Sequence, residues 1–196
     1  MTNLKKLTIA GVFGVFLLGS MTTQAQTVEL IPKAGINISS QSISGMSGEK
    51  SKVGFQGGIG VNFLTKAKGF SIQPELNFIS KGAALKNVSG NKENFNLNYL
   101  ELPVLAKYSF GIGYINAGPS LGLRLGENDN VKNVLGGTKS LDFGLQMGAG
   151  LAIPAGSGKI IVDGRYNLGL SNIADNSKIK NRGVSFSLGY AIPLGK

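Results

Sequence analysis

The chain has 196 residues, with 20 basic and 10 acidic side chains for a net charge of +10, and it contains 30 glycines but no cysteine and no histidine. The missing cysteine excludes disulfides and thiol chemistry, and the missing histidine removes the usual general base and the commonest metal ligand. The basic residues are scattered one or two per connection, with no basic helix or aromatic platform among them, which argues against a nucleic-acid partner.

In chain order, the first element is a leader. Lys5 and Lys6 precede an apolar run from Leu7 to Leu18, and Thr23-Gln24-Ala25 stands before Gln26. This is the layout of a secretory signal peptide, with cleavage expected between Ala25 and Gln26. The run of twelve residues falls short of the roughly twenty a transmembrane helix needs. The expected domains are a cleaved leader, 1–25, and one domain, 26–196.

Eight blocks of alternating residues follow, predicted as strands over 28–39, 52–64, 70–82, 96–109, 114–125, 142–154, 159–170 and 183–194. The fifth shows the pattern. Ile115, Ala117, Pro119, Leu121, Leu123 and Leu125 fall on one face, and Asn116, Gly118, Ser120, Gly122 and Arg124 on the other. Period two marks a β-strand. Each block has the roughly nine to eleven residues of a tilted transmembrane strand. No charge enters the apolar stripe of any block. The expected fold is all-β, an eight-stranded antiparallel up-and-down transmembrane β-barrel with its apolar stripe turned to lipid.

The connections alternate in length. Thr65–Gly69, Phe110–Gly113 and Ala155–Gly158 are short, whereas Ser40–Ser51, Ala83–Phe95, Gly126–Leu141 and Ser171–Arg182 are long. Outer-membrane barrels have short periplasmic turns and long outer loops, so both termini are expected in the periplasm. A spacing shared by Gly54-x5-Gly60-x2-Phe63, Gly144-x5-Gly150-x2-Ile153 and Gly183-x5-Gly189-x2-Ile192 points to common geometry in the strands that run inward from the long connections.

The other parity carries Lys33, Glu75, Lys81, Glu101, Lys107, Arg124, Asp142, Asp163 and Arg165. Eight strands enclose a space that side chains fill, so these residues are expected to form a paired ionic network that plugs the lumen. The short turns suggest a register placing Glu75 opposite Gly58, Glu101 opposite Gly122, Asp163 opposite Gly150 and Arg165 opposite Gly148. Large charged groups then face missing side chains. Glu101→Ala is expected to cost about 3–5 kcal/mol if its partner is buried.

Several motifs fail on spacing. Ala155-Gly156-Ser157-Gly158-Lys159 ends like a phosphate-binding loop, but Ile153 occupies the position of the first glycine and Ile160 that of the Ser or Thr; a hairpin turn is the better reading. Glu127 and Asp129 share one outer loop and could touch Ca²⁺, but two carboxylates are weak support for a calcium site, and a solvated loop is the better reading. No catalytic, cofactor or metal residues are assigned, and the chain is read as a non-enzyme. The long connections carry Lys50, Lys52, Lys86, Lys92, Lys132, Lys139, Lys178, Lys180 and Arg182 against Glu49, Glu93, Glu127, Asp129 and Asp175. That excess suits contact with lipopolysaccharide phosphates or simple solubility. Phe63, Phe70 and Tyr108 are expected near the periplasmic interface, and Phe55, Phe78, Phe143 and Phe186 near the outer one.

Pro32-Lys33-Ala34-Gly35-Ile36-Asn37, Gln73-Pro74-Glu75-Leu76, Tyr99-Leu100-Glu101-Leu102-Pro103-Val104-Leu105-Ala106-Lys107-Tyr108, Asn116-Ala117-Gly118-Pro119-Ser120 and Arg165-Tyr166-Asn167-Leu168-Gly169-Leu170 stand in this order. Together they resemble the PorT-like outer-membrane β-barrel family of Bacteroidota, over nearly the whole chain after the leader. The resemblance implies an eight-stranded barrel in the cell outer membrane. Its named member is associated with protein secretion across that membrane and with gliding-type machinery; no catalytic residue is implied. The expected function is a non-enzymatic barrel whose outer loops touch outer-membrane lipid or a surface or secretion partner. The alternatives are a narrow channel for small solutes, a lipid-active enzyme and a soluble lipocalin-type barrel.

Overall fold

The computed structural model describes residues 28–43, 52–86, 92–126, 141–171 and 179–194. Eight strands run in chain order: β1 (Val28–Ile43), β2 (Lys52–Leu64), β3 (Phe70–Lys86), β4 (Lys92–Phe110), β5 (Gly113–Gly126), β6 (Leu141–Ala155), β7 (Gly158–Gly169) and β8 (Ile179–Leu194). Each pairs with its sequence neighbours, and β8 returns antiparallel to β1, closing the barrel. Closure leaves no edge to template another chain.

The alternation read from sequence holds around the circumference, and the burial is inverted relative to a soluble protein. Leu188 is 63% exposed and Phe55 58%, whereas Glu75 is 4% and Arg165 5% exposed. A lipocalin would bury the apolar face. Here the apolar face forms the outer wall that a bilayer covers.

Strand ends differ from the sequence pattern mainly at the long connections. There β1 continues to Ile43, β3 to Lys86, and β4 begins at Lys92 and β8 at Ile179. Residues such as Ser40, Gln41 and Ser42 show no apolar alternation, yet their backbones pair with Arg182, Asn181 and Lys180. Backbone pairing needs no apolar face, so hydropathy under-reads these ends.

At the short-turn end, β4–β5 and β6–β7 close through Gly111-Ile112 and Gly156-Ser157, with φ of 60° at Gly111 and 59° at Gly156. Two-residue hairpin loops favour positive φ at the first position, where glycine carries no steric cost. The phosphate-loop look-alike is therefore a turn. Tyr190 clamps it from outside: its hydroxyl donates to the Ala155 carbonyl (2.8 Å) and accepts from the Gly158 amide (3.1 Å). On the same outer wall the Phe70 and Tyr108 rings lie 4.7 Å apart, and Tyr108 and Phe110 6.3 Å apart.

One register expectation is corrected. Glu75 pairs with Gly60, and Gly58 with Asn77. Thr65 closes the β2–β3 loop on Phe70, donating its amide (3.1 Å) and its hydroxyl (2.9 Å) to the Phe70 carbonyl. That closure slides β3 by two residues relative to the expected register, and a slip of two keeps every side chain on its face. The pairs Glu101 with Gly122, Asp163 with Gly150 and Arg165 with Gly148 stand as read.

Candidate functional site

The lumen is the candidate site, and its centre is Glu75 on β3. Arg165 grips it with both terminal nitrogens, Nη1 to Oε2 at 2.8 Å and Nη2 to Oε1 at 2.9 Å. Strands β3 and β7 are four places apart in a closed ring of eight, so this bidentate pair spans the full bore. Such forks are the strong form of the carboxylate–guanidinium contact. Lys33 Nζ, Gln73 Nε2 and Asn77 Nδ2 also donate to Glu75, at 2.5, 2.7 and 2.8 Å. Arg165 Nε also lies 2.5 Å from Asp163 Oδ1. Two cations, Lys33 and Arg165, thus meet two anions, Glu75 and Asp163. Buried charges tolerate the low dielectric only when paired and hydrogen-bonded in this way.

Glycines make the reach possible. Lys33 on β1 passes over β2, whose inward positions include Gly58 and Gly60. Tyr114 on β5 passes over β6 and donates to Asp163 Oδ2 on β7 at 2.7 Å. A Cβ on Gly150 would stand 2.3 Å from that tyrosine oxygen, and one on Gly148 would stand 2.7 Å from Arg165 Cγ. Asn116 adds a second donor to Asp163 at 3.2 Å.

The remaining expected residues are spread along the bore. Lys107 lies 3.4 Å from Gln73 Oε1 and 3.9 Å from the Tyr114 ring centroid, a cation–π contact. Toward the long connections, Glu101 accepts from Gln146 (2.8 Å) and Asp142 from the Ser171 hydroxyl (2.9 Å). Arg124 is half-buried on β5. Lys81 lies on β3, but its side chain is outside the described residues, as are Ala25 and Gln26 of the expected cleavage site and Glu127 and Asp129.

Sequence reading missed a second ionic group at the short-turn rim. Glu29 on β1 accepts from Asn62 on β2 (2.8 Å) and from Lys159 on β7 (2.7 Å). All three share the inward parity of their strands, but Glu29 and Lys159 sit at strand ends. Between this rim and the central cluster, Ile31, Tyr114, Ile161 and Ala191 pack together, with Ala152 against them.

A family model described as outer membrane protein beta-barrel domain matches residues 24–175. No curated protein matches the chain. Several solved structures are similar in fold at low identity. Neisserial surface protein A is 14% identical, with 82% of this chain and 95% of that chain covered and a TM-score of 0.49. The attachment invasion locus protein Ail of Yersinia pestis is 12% identical, with 86% and 100% covered and a TM-score of 0.47. The outer membrane enzyme PagL is 18% identical, with 84% and 99% covered and a TM-score of 0.43.

Proposed function

Because this chain belongs to the family of outer membrane protein beta-barrel domains, and therefore resides in the outer membrane, we propose that it is a non-enzymatic barrel with a closed lumen that presents its long connections to the cell exterior. The observation that carries this reading is the Arg165–Glu75 fork across the bore, backed by Lys33. A cross-section occupied by paired ions and hydrogen bonds leaves the outer loops and the wall as working surfaces. The leader is removed between Ala25 and Gln26, the termini face the periplasm, and the loops contact lipopolysaccharide or a surface or secretion partner. The Tyr-Leu-Glu-Leu-Pro and Ala-Gly-Pro-Ser strings support a PorT-like kinship within Bacteroidota.

Two measurements test this. Reconstituted into planar bilayers, the protein is expected to give no steady single-molecule conductance; discrete sustained steps would return the narrow-channel reading. Crosslinking on intact cells, followed by purification, is expected to capture lipopolysaccharide or an envelope protein through the long connections. Crosslinks confined to the short turns would reverse the orientation.

A further inference from the structure

The three short connections are all described residues, and they differ in charge. Gly111-Ile112 and Gly156-Ser157 carry none, and Lys159, just past the second, is tied to Glu29 at 2.7 Å. The β2–β3 turn carries Lys66 and Lys68, both exposed, and no acid. Its backbone is fixed on both sides. The Phe70 amide donates to the Ala67 carbonyl at 3.0 Å, and the Ser109 amide of β4 donates to the Gly69 carbonyl at 2.8 Å.

Gly69 has a φ of 83°, and a Cβ there would stand 3.0 Å from Tyr108 Cε2. The Tyr108 ring therefore lies against the turn, one residue beyond Lys68. Around it the outer wall presents Phe70, 52% exposed, and Phe110, 54% exposed. Cationic turn and aromatic wall form one continuous surface. The two outward tyrosines at this end also spend their hydroxyls differently. Tyr190 engages the β6–β7 turn twice. The Tyr108 hydroxyl has no hydrogen-bond partner among the described residues, although its ring is packed on both sides.

We propose that this sector binds an anionic glycerophospholipid of the phosphatidylglycerol class, with the phosphate at Lys66, Lys68 and the Tyr108 hydroxyl and the ester region and upper acyl chain along Phe70 and Phe110. Aromatic rings sit at the headgroup level of a bilayer, a phenolic O–H can donate to a phosphate or ester oxygen, and lysines at the surface attract anionic lipid. A zwitterionic ethanolamine lipid would bring its own ammonium against two like charges, so the sector selects the lipid without one. That this is the inner leaflet rests on the proposed orientation of the barrel; the lipid chemistry does not.

The test is native mass spectrometry of the mature barrel in detergent, offered equal amounts of dioleoylphosphatidylglycerol and dioleoylphosphatidylethanolamine. The wild type is expected to retain the glycerol lipid preferentially. Lys66→Gln with Lys68→Gln is expected to lose about fivefold of that preference per lysine, with heat-dependent gel mobility confirming the fold. Tyr108→Phe, which keeps the ring contacts, is expected to lower retention as well, and Lys159→Gln to leave it unchanged. Equal retention of the two lipids by the wild type, a preference that survives the double substitution, or an equal loss in Lys159→Gln would each overturn the site while leaving the orientation intact. Stronger retention of lipid A than of phosphatidylglycerol through the same two lysines would overturn the phospholipid assignment and count against the orientation too.

Discussion

Tyr114 on β5 reaches Asp163 on β7 by crossing the bare backbone of Gly150, with its hydroxyl 2.7 Å from the carboxylate. The space taken by that crossing is the space a Cβ on Gly150 would need, 2.3 Å from the hydroxyl and 2.4 Å from the Val162 carbonyl. The glycine is a clearance, fixed by the ion network above it.

Gly150→Ala is therefore expected to destabilise the barrel by about 1–3 kcal/mol through overpacking. Gly60→Ala meets nothing closer than the Glu75 Cγ at 3.4 Å and is expected to cost distinctly less. Urea unfolding in detergent, followed by heat-dependent gel mobility, compares the two. Equal midpoints would refute the clearance.

Glu75→Ala removes the acceptor shared by Arg165 and Lys33, taking from Lys33 its carboxylate partner and leaving Arg165 with Asp163. A loss of about 3–5 kcal/mol is expected. Glu101→Ala is also expected to destabilise the barrel, since it takes the acceptor from the Gln146 amide. The same unfolding experiment measures both variants, and an unchanged midpoint for Glu75→Ala would refute the central pairing.

Lys159→Ala tests the rim. The Lys159 side chain is 42% exposed, so its pair with Glu29 is screened by water. Its loss is expected to cost under about 1 kcal/mol and to fade further in high salt. A salt-independent loss of several kcal/mol would mean that the rim is as dry as the centre.

Tyr190→Phe keeps the ring on the outer wall and deletes both hydroxyl contacts to the β6–β7 turn. A cost of about 1 kcal/mol is expected, with faster amide exchange at Gly158 as the local signature. Unchanged exchange there would remove the clamp.

The mature protein extracted from outer membranes is expected to begin at Gln26. Intact-mass measurement reads this directly, and a mass that retains Met1 would contradict cleavage.

The wall of the barrel was legible because each strand repeats one simple rule. Apolar parity named the lipid-facing stripe of all eight strands, and the short Phe110–Gly113 and Ala155–Gly158 connections fit hairpins between neighbouring strands. The lumen was legible in membership more than in partnership. Parity put Glu75 and Arg165 on the same inner face, but their meeting across the ring depends on shear and strand order, which no local pattern encodes. The β2–β3 register escaped because Thr65 decides it through one loop closure. Glu29 and Lys159 escaped because strand ends look like loops to a hydropathy pattern. Tyr114 escaped because an aromatic in a polar face looks like an exception until its hydroxyl finds Asp163.

The inner ties also have a mechanical consequence. Lys33–Glu75 straddles the two joints around β2, Gln146–Glu101 those around β5, Tyr114–Asp163 those around β6, and Lys159–Glu29 those around β8, while Lys107–Gln73 stitches β3 to β4. Every joint of the ring is crossed, including the one where the first and last strands meet. A hoop laced this way has no preferred place to unzip, so the barrel should rupture as a whole and resist peeling from its chain ends.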